Sequence, residues 1–147
     1  MAQERPTMSP FHLAMPCQDL EATRTFYTHV LGCVEGRSAA RWVDFNFFGH
    51  QLSFHLAAGP IEQTHNAVDG EAVPVPHFGV ILPWEQWHRL ARRLEATDLA
   101  FIIAPRVRFR GQVGEQATMF FQDPSGNALE FKSFQDEAQV FSRASLG

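Results

Sequence analysis

The sequence predicts an α+β fold of two βαβββ modules, whose strands form a curved mixed β-sheet cup with the helices packed outside. Two observations carry this prediction. Two short strands that end in proline, HLAMP (12–16) and HFGVILP (77–83), are each followed by a segment with helical spacing of apolar residues. Each helix is then followed by segments that alternate apolar and polar residues, as half-buried strands do. The repeated order indicates a pseudo-twofold pair of halves.

The 147 residues fit a single domain (1–147). Within it we expect a first βαβββ module (10–57), a linker (58–75), a second module (76–134) and a tail (135–147). The linker is predicted because it contains Gly, Pro, Asn and Asp without a hydrophobic period. The tail is polar and is expected to lie on the surface or against a partner subunit.

The elements of the first module are bounded by local signals. A first strand (11–15) lies between two prolines, and the following helix begins after Asp19, a good N-cap, and ends at Gly32. The segments 41–48 and 50–57 alternate and predict a hairpin.

The second module repeats this order with its own signals. WEQWHRLARRLEATD (84–98) has helical spacing, and LAFIIAP (99–105) is typical of a strand. The segment 117–134 predicts a hairpin around the turn Asp-Pro-Ser-Gly (123–126).

Composition narrows the classes of partner and compartment. The formal charge is −4 and no basic stripe is present, so neither nucleic acid nor an anionic membrane surface is an expected partner. No segment is apolar enough to span a membrane, and the N-terminus lacks the apolar core of a signal peptide. We therefore expect a cytoplasmic protein in which Cys17 and Cys33 remain free thiols.

Strand alternation places five polar side chains on the faces opposite the predicted helices, where they would share the concave surface: His12, Gln51, His55, His77 and Glu130. Taken singly, a histidine on a strand is more often structural, and a glutamate is usually solvated. His12 and His77, however, occupy equivalent positions in the two modules. Two imidazoles and one carboxylate are donors that suit non-haem Fe(II), and tetrahedral zinc is an alternative.

The motifs FHLAMPCQDLEATRTFYTHVLG, PHFGVILP and DPSGNALEF resemble the vicinal oxygen chelate superfamily of glyoxalase I, extradiol dioxygenases and the fosfomycin- and bleomycin-resistance proteins. The resemblance spans Pro10 to Phe134. It is nearest to a group of short, single-module predicted extradiol dioxygenases, through RWVDFNFFGHQLSFH and GEQATMFFQDPSGNALEFK.

This resemblance implies a metal held by His12, His77 and Glu130. Fe(II) is the expected ion, with Zn, Mn and Ni as alternatives. In glyoxalase I a glutamate ligand stands on the fourth strand, where this chain has Gln51, and this departure favours the triad of the dioxygenases. Extradiol enzymes usually carry two copies of the whole domain formed by such a pair of modules, and this chain has one. The resemblance therefore also implies a homodimer in which a second subunit completes the pocket.

Other polar residues near the expected cup have two interpretations each. His55 would either move protons, since imidazole titrates near neutral pH, or have a structural role. Trp42 and Asp44 would orient a substrate together with Gln51, or Asp44 would pair with a nearby arginine. Arg106, Arg108 and Arg110 alternate and would either attract a carboxylate-bearing substrate or protect an edge strand by their charge.

The expected function is that of a metal-dependent oxidoreductase, an extradiol-type dioxygenase acting on a catechol-like small molecule, with His55 and Glu130 as catalytic groups. A glyoxalase- or isomerase-like enzyme with Glu130 as the base is one alternative. A protein that binds small molecules without turnover, as the bleomycin-resistance proteins do, is the other.

Overall fold

The computed structural model describes residues 8–62, 64–68 and 71–143. The strands are β1 (His12–Cys17), β2 (Val34–Ala39), β3 (Trp42–Phe47), β4 (His50–Leu56), β5 (Thr64–Val68), β6 (Glu71–Val75), β7 (Phe101–Arg108), β8 (Gln116–Gln122) and β9 (Ala128–Phe134). The helices are α1 (Leu20–Thr25), which continues into a π-helical turn (Phe26–Val30), and α2 (Trp84–Glu95). A short 3₁₀ helix (Glu137–Gln139) follows β9.

The strands form three sheets. The first has the order β1-β4-β3-β2, with β1 parallel to β4 and the other pairs antiparallel. The second sheet is the antiparallel β7-β8-β9, and β5 pairs with β6 as a hairpin. The segment 78–81 runs parallel to β9, through bridges from Phe78 to Leu129 and from Ile81 to Lys132. The predicted α+β class with mixed sheets is confirmed.

One hydrophobic core joins the two modules. It contains the apolar faces of β3, β4, β8 and β9 together with both helices. Tyr27 is fully buried in this core, and its ring contacts Phe45 and Phe54. Trp87 of α2 donates its indole N–H to the carbonyl of Phe131 at 2.8 Å. The helices therefore cover the inner apolar faces of the sheets. On the opposite face of the second sheet, Val73, Ile103 and Phe120 form a second, smaller buried cluster.

Three elements differ from the sequence-based prediction. β2 was not delimited, because all six of its residues are exposed and the segment carries no alternation. The predicted linker contains the hairpin of β5 and β6. The expected strand 77–83 is only partly regular, since two isolated bridges hold it against β9.

Both cysteines are free thiols, as predicted, and both are buried. Burial raises the pKa of the Cys33 thiol to about 12. Burial also raises the pKa of Cys17, although a hydrogen bond with Thr23 opposes the shift. In the described part of the chain, no helix is long and apolar enough to cross a membrane.

Candidate metal centre

His77 and Glu130 lie side by side on the outer face of the second sheet. The distance from His77 Nε2 to Glu130 Oε2 is 3.7 Å, which exceeds that of a good hydrogen bond. Two ligands of one ion, each about 2.1 Å from it, can stand up to roughly 4.2 Å apart. The separation of these two atoms therefore suits two ligands of one divalent ion.

The hairpin of β5 and β6 fixes the tautomer of His77. Its Nδ1 lies 2.7 Å from the carbonyl oxygen of Pro74, which can only accept a hydrogen bond. Nδ1 therefore carries the proton, and in the neutral ring the lone pair is on Nε2, the atom nearer Glu130. Metal-binding histidines are usually oriented in this way, by a hydrogen bond from the ring nitrogen that does not bind the metal. The edge of the ring also contacts Phe120, with the centroids 4.8 Å apart.

The Glu130 side chain is 13% exposed. Burial raises the pKa of its carboxyl group, and the charges of Lys132 and His77 partly oppose the shift. Lys132 Nζ lies 3.8 Å from Glu130 Oε1. A mostly buried carboxylate with a raised pKa, beside an imidazole and an ammonium group, can serve as a metal ligand or a base.

Gly79 allows the backbone before α2 to approach Glu130. An ideal Cβ at this position would lie 1.6 Å from the carbonyl oxygen of Glu130, which no side chain can tolerate. The neighbouring residue, Phe78, accepts a hydrogen bond from the Glu130 N–H at 2.8 Å. The position of Glu130 therefore depends on a residue without a side chain.

His12, the third predicted ligand, lies elsewhere in the chain. It is exposed on the outer face of the first sheet, opposite Gln51 in the register of β1 and β4. Among the residues that the structure describes, no three His, Cys, Asp or Glu side chains come close enough to hold an ion. One chain thus brings together two donors of the predicted triad and leaves His12 apart from them.

The predicted substrate residues share the outer face of the first sheet with His12. Gln51 stands between His12 and Asn46, and His55 is exposed opposite Trp42. Asp44 is buried and accepts a hydrogen bond of 2.5 Å from Ser53, rather than pairing with Arg37 or Arg41 as the alternative interpretation supposed. A groove of about 350 Å³ borders this face and includes Asp44 and Gln51 in its lining.

His50, the first residue of β4, has a local structural role. Its Nδ1 accepts a hydrogen bond of 2.9 Å from the backbone N–H of Phe11. This contact fastens the residue that precedes His12 to the start of β4.

A larger, apolar groove of about 1050 Å³ lies between β1 and the segment 78–83. Its lining includes Phe11 and Leu13 on one side, Phe78 and Val80 on the other, and Phe141 from the tail. β1 and the segment 78–81 are both edges of their sheets within the described residues. The groove therefore separates two edges that have no neighbouring strand in this chain.

The Asp-Pro-Ser-Gly-Asn turn has a structural role. Asp123 accepts hydrogen bonds from the backbone N–H groups of Ser125 and Asn127 and from the hydroxyl group of Tyr27. Asn127 donates to the carbonyl of Pro16 at 2.8 Å. The turn of the second module is thereby tied to the first strand and first helix.

Two contributors to this site were not identified from the sequence. Pro74 lies in the segment interpreted as a linker, so its carbonyl could not be placed beside His77. Phe120 was assigned no role, although the alternation of β8 and its pairing with β9 put it on the same face as Glu130. The hairpin register around the turn could have identified Phe120; no local signal marks Pro74.

Comparison with known proteins agrees with this architecture. The profile of the Glyoxalase/Bleomycin resistance protein/Dioxygenase superfamily matches residues 9–131. A search of curated proteins gives no match. A glyoxalase/bleomycin resistance protein/dioxygenase from Alicyclobacillus acidocaldarius superposes with a TM-score of 0.76 at 29% identity, covering 95% of this chain and 100% of that one.

Two further structures are similar at lower identity. The fosfomycin resistance protein FosX from Listeria monocytogenes has a TM-score of 0.62 at 18% identity, covering 92% of this chain and 99% of that one. Lactoylglutathione lyase from Agrobacterium tumefaciens has a TM-score of 0.58 at 20% identity, covering 88% and 96%. These two likenesses concern the fold. With the profile matched over most of its length, the chain belongs to the Glyoxalase/Bleomycin resistance protein/Dioxygenase superfamily.

Proposed function

We propose that this protein is a metal-dependent oxidoreductase of the extradiol dioxygenase type, acting on a catechol-like small molecule. The pair formed by His77 and Glu130 carries the proposal. Its 3.7 Å separation suits two ligands of one ion, and the contact with Pro74 directs the lone pair of His77 toward the site. Fe(II) is the ion we expect, with Zn, Mn and Ni as alternatives.

The third ligand is proposed to be His12 of the partner subunit in a homodimer. Two observations support this. His12 is exposed and lies apart from His77 and Glu130 in its own chain. In addition, the groove between the two open sheet edges is bordered by strongly exposed apolar side chains, Met8 at 82%, Phe11 at 64% and Phe141 at 92%. A second copy would cover this apolar surface.

A bound divalent ion would contact neighbouring oxygen atoms of the substrate and lower their pKa. The other roles proposed for the protein lie on the outer face of the first sheet, which also carries His12, so in the homodimer they would come from the subunit that supplies His12. His55 would exchange a proton with the substrate, since its ring is exposed and on the same face as Gln51. Gln51 and Trp42 would contact the bound molecule, and Asp44 would hold the Ser53 hydroxyl beside it.

Mixing two inactive variants tests the assembly of the site. His12→Ala and His77→Ala should each lose the rise in melting temperature that Fe(II) or Zn gives the wild type. If His12 acts across the interface, refolding the two variants together gives heterodimers in which one of the two metal sites is intact. That site combines His77 of the first variant with His12 of the second. Random pairing then restores about a quarter of the wild-type metal content.

Several outcomes would contradict the proposal. A mixture that binds no more metal than the separate variants would place any metal site within one chain. If light scattering at micromolar concentration gives the mass of a single chain, the proposed homodimer is wrong. Anaerobic loading with Fe(II) and oxygen uptake over a panel of catechols tests the reaction, and no uptake would overturn the dioxygenase assignment.

A binding protein without turnover is the second candidate. The apolar groove of about 1050 Å³ supports it, because this volume matches that of a site for a small organic molecule. The two candidates differ in their need for metal. A binding protein should take up an aromatic ligand equally well after treatment with a chelator, whereas the dioxygenase should lose both oxygen uptake and affinity for catechols.

A further inference from the structure

A row of basic and hydroxyl side chains crosses the second sheet next to His77 and Glu130, the two proposed metal ligands. Arg106 of β7 stands opposite Thr118 of β8, and Thr118 stands opposite Lys132 of β9. Directly opposed residues on one face of an antiparallel sheet have Cβ atoms about 5 Å apart. The three side chains therefore lie on the same outer face as Glu130. Glu130 is two residues from Lys132 along β9 and stands opposite Phe120 of β8.

The Thr118 hydroxyl group is the unusual member of this row. Its Oγ1 is buried and has no hydrogen-bond partner among the residues that the structure describes. Buried hydroxyl groups in folded proteins are almost always hydrogen-bonded, so an unsatisfied one needs an explanation. A hydroxyl between a guanidinium and an ammonium side chain is placed to donate to an acceptor that both cations attract.

Three cationic side chains, Arg106, Arg108 and Lys132, lie along this part of the sheet. Arg108 lies opposite Gln116, one step beyond the row, and its guanidinium lies 4.7 Å from the centre of the Phe109 ring. Lys132 Nζ reaches Glu130 Oε1 at 3.8 Å. Through Lys132 the row thus adjoins the two proposed metal ligands, His77 and Glu130. The row is basic although the formal net charge of the whole protein is −4.

We propose that Arg106, Thr118 and Lys132 bind the anionic group of the substrate, a carboxylate on an aromatic ring. The inference rests on the proposed function for its position but not for its chemistry. Lys132 of the row and Glu130 are two residues apart along β9, a distance of about 7 Å along the strand. This spacing fits an aromatic ring that presents its neighbouring oxygens to the ion held by His77 and Glu130 and its carboxylate to the row.

The three side chains supply complementary contacts. A guanidinium group can donate two parallel hydrogen bonds to a carboxylate, and an ammonium group adds a charge-assisted one. The Thr118 hydroxyl donates to the remaining oxygen. A phosphonate offers similar oxygens, so the experiment has to separate the two kinds of anion.

Calorimetric titration of the full chain in EDTA tests the proposal without any metal. Benzoate, phenylphosphonate and benzyl alcohol share one ring and differ in the attached group. Benzoate should bind more tightly than benzyl alcohol by about tenfold or more, since hydrogen bonds to a charged group are the strong ones. Tighter binding of phenylphosphonate than of benzoate would overturn the carboxylate assignment, and equal binding of all three compounds would overturn the anion site.

Variants separate the row from general attraction by charge. Arg106→Gln and Lys132→Gln should each weaken benzoate binding by about tenfold. Arg110→Gln is the matched control, because it removes the same charge from an exposed position beyond the end of β7. An equal loss in the control, or no loss in the two row variants, would overturn the proposal.

Thr118→Val gives a readout that a purely structural residue would not. The valine has nearly the same shape and removes a buried hydroxyl that lacks a partner. The melting temperature should therefore stay the same or rise, while benzoate affinity falls. Unchanged affinity would remove Thr118 from the site. Because the titration needs no metal, benzoate binding that survives alongside absent oxygen uptake would overturn only the proposed function.

Discussion

At the scale of single residues, Gly79 sets how closely the segment before α2 approaches Glu130. A Cβ at this position would lie 1.6 Å from the Glu130 carbonyl oxygen. Gly79→Ala should therefore push the segment away from β9 and lower the free energy of unfolding by about 1–3 kcal/mol, as overpacking does. Urea unfolding measures this change.

Gly36→Ala is the matched control, because the nearest atom to its added Cβ is at 3.5 Å, an ordinary contact. It should change the free energy of unfolding by less than about 0.5 kcal/mol. Equal effects of the two alanines would mean that the close approach at Gly79 is not what makes its substitution costly.

His55 is the residue whose role separates catalysis from binding. Its side chain is exposed on the outer face of the first sheet, opposite Trp42. If it moves protons, His55→Gln should keep the metal content and lower the turnover number by about 10²–10⁴-fold, the usual size of acid–base catalysis. Steady-state oxygen uptake measures the loss.

His29→Gln serves as the control, since His29 is exposed on the first helical segment. Turnover within roughly threefold of the wild type in His55→Gln, far short of the acid–base range, would make His55 a bystander. Loss of the metal in that variant would instead identify it as a ligand.

At the scale of elements, the turn at 123–126 connects the two modules through Tyr27. Its hydroxyl donates to Asp123 Oδ2 at 2.9 Å in the buried core. Burial raises the pKa of Asp123 despite its hydrogen bonds with Asn127 and Tyr27. Tyr27→Phe should lower the free energy of unfolding by about 1–3 kcal/mol, because it leaves one acceptor without its buried donor.

A double-mutant cycle with Asp123→Asn isolates this contact. A coupling energy between about 0.5 and 3 kcal/mol is expected for two residues in one hydrogen-bond network. A coupling energy near zero would mean that Tyr27 stabilises the core through packing alone.

Elements were predictable from the sequence where apolar and polar residues alternate. This alternation gave the faces of β1, β4 and β9, and with them the placement of Glu130 on a polar face. β2 is exposed throughout, so no period marks it. The hairpin of β5 and β6 pairs through its backbone in a segment without periodicity.

The candidate site was predictable only in part, for a physical reason. Alternation tells which face of a strand a residue occupies, but not which strands share a sheet. His77 and Glu130 meet because the segment 78–81 pairs with β9, whereas β1 pairs with β4 in a different sheet. The separation of His12 from the other two depends on these long-range pairings.

At the scale of the whole molecule, titration of Cys33 lowers the free energy of unfolding at alkaline pH. Burial raises the pKa of its thiol from 9.0 to about 12. The folded protein therefore holds a proton that the unfolded chain loses, so the contribution is complete below pH 9.0 and is lost as the pH rises toward 12. Between neutral pH and pH 10.5 this amounts to roughly 2 kcal/mol.

Urea unfolding at both pH values measures the effect. Cys33→Ala is less stable at neutral pH because it creates a cavity, but it should lose about 2 kcal/mol less than the wild type on going to pH 10.5. An equal pH dependence in the two proteins would mean that Cys33 titrates normally in the folded state.

The division between an apolar inside and polar outer faces has a consequence for how this scaffold tolerates change. The core joins the two modules through the inner side chains of both sheets, whereas exposed positions such as Asn46, Gln51 and His55 alternate with them on β3 and β4. Substitutions at exposed sites typically change stability by less than about 0.5 kcal/mol. New ligand preferences can therefore be selected from libraries randomised at these outward positions, while the same diversity at Phe45 or Phe54 would unfold the protein.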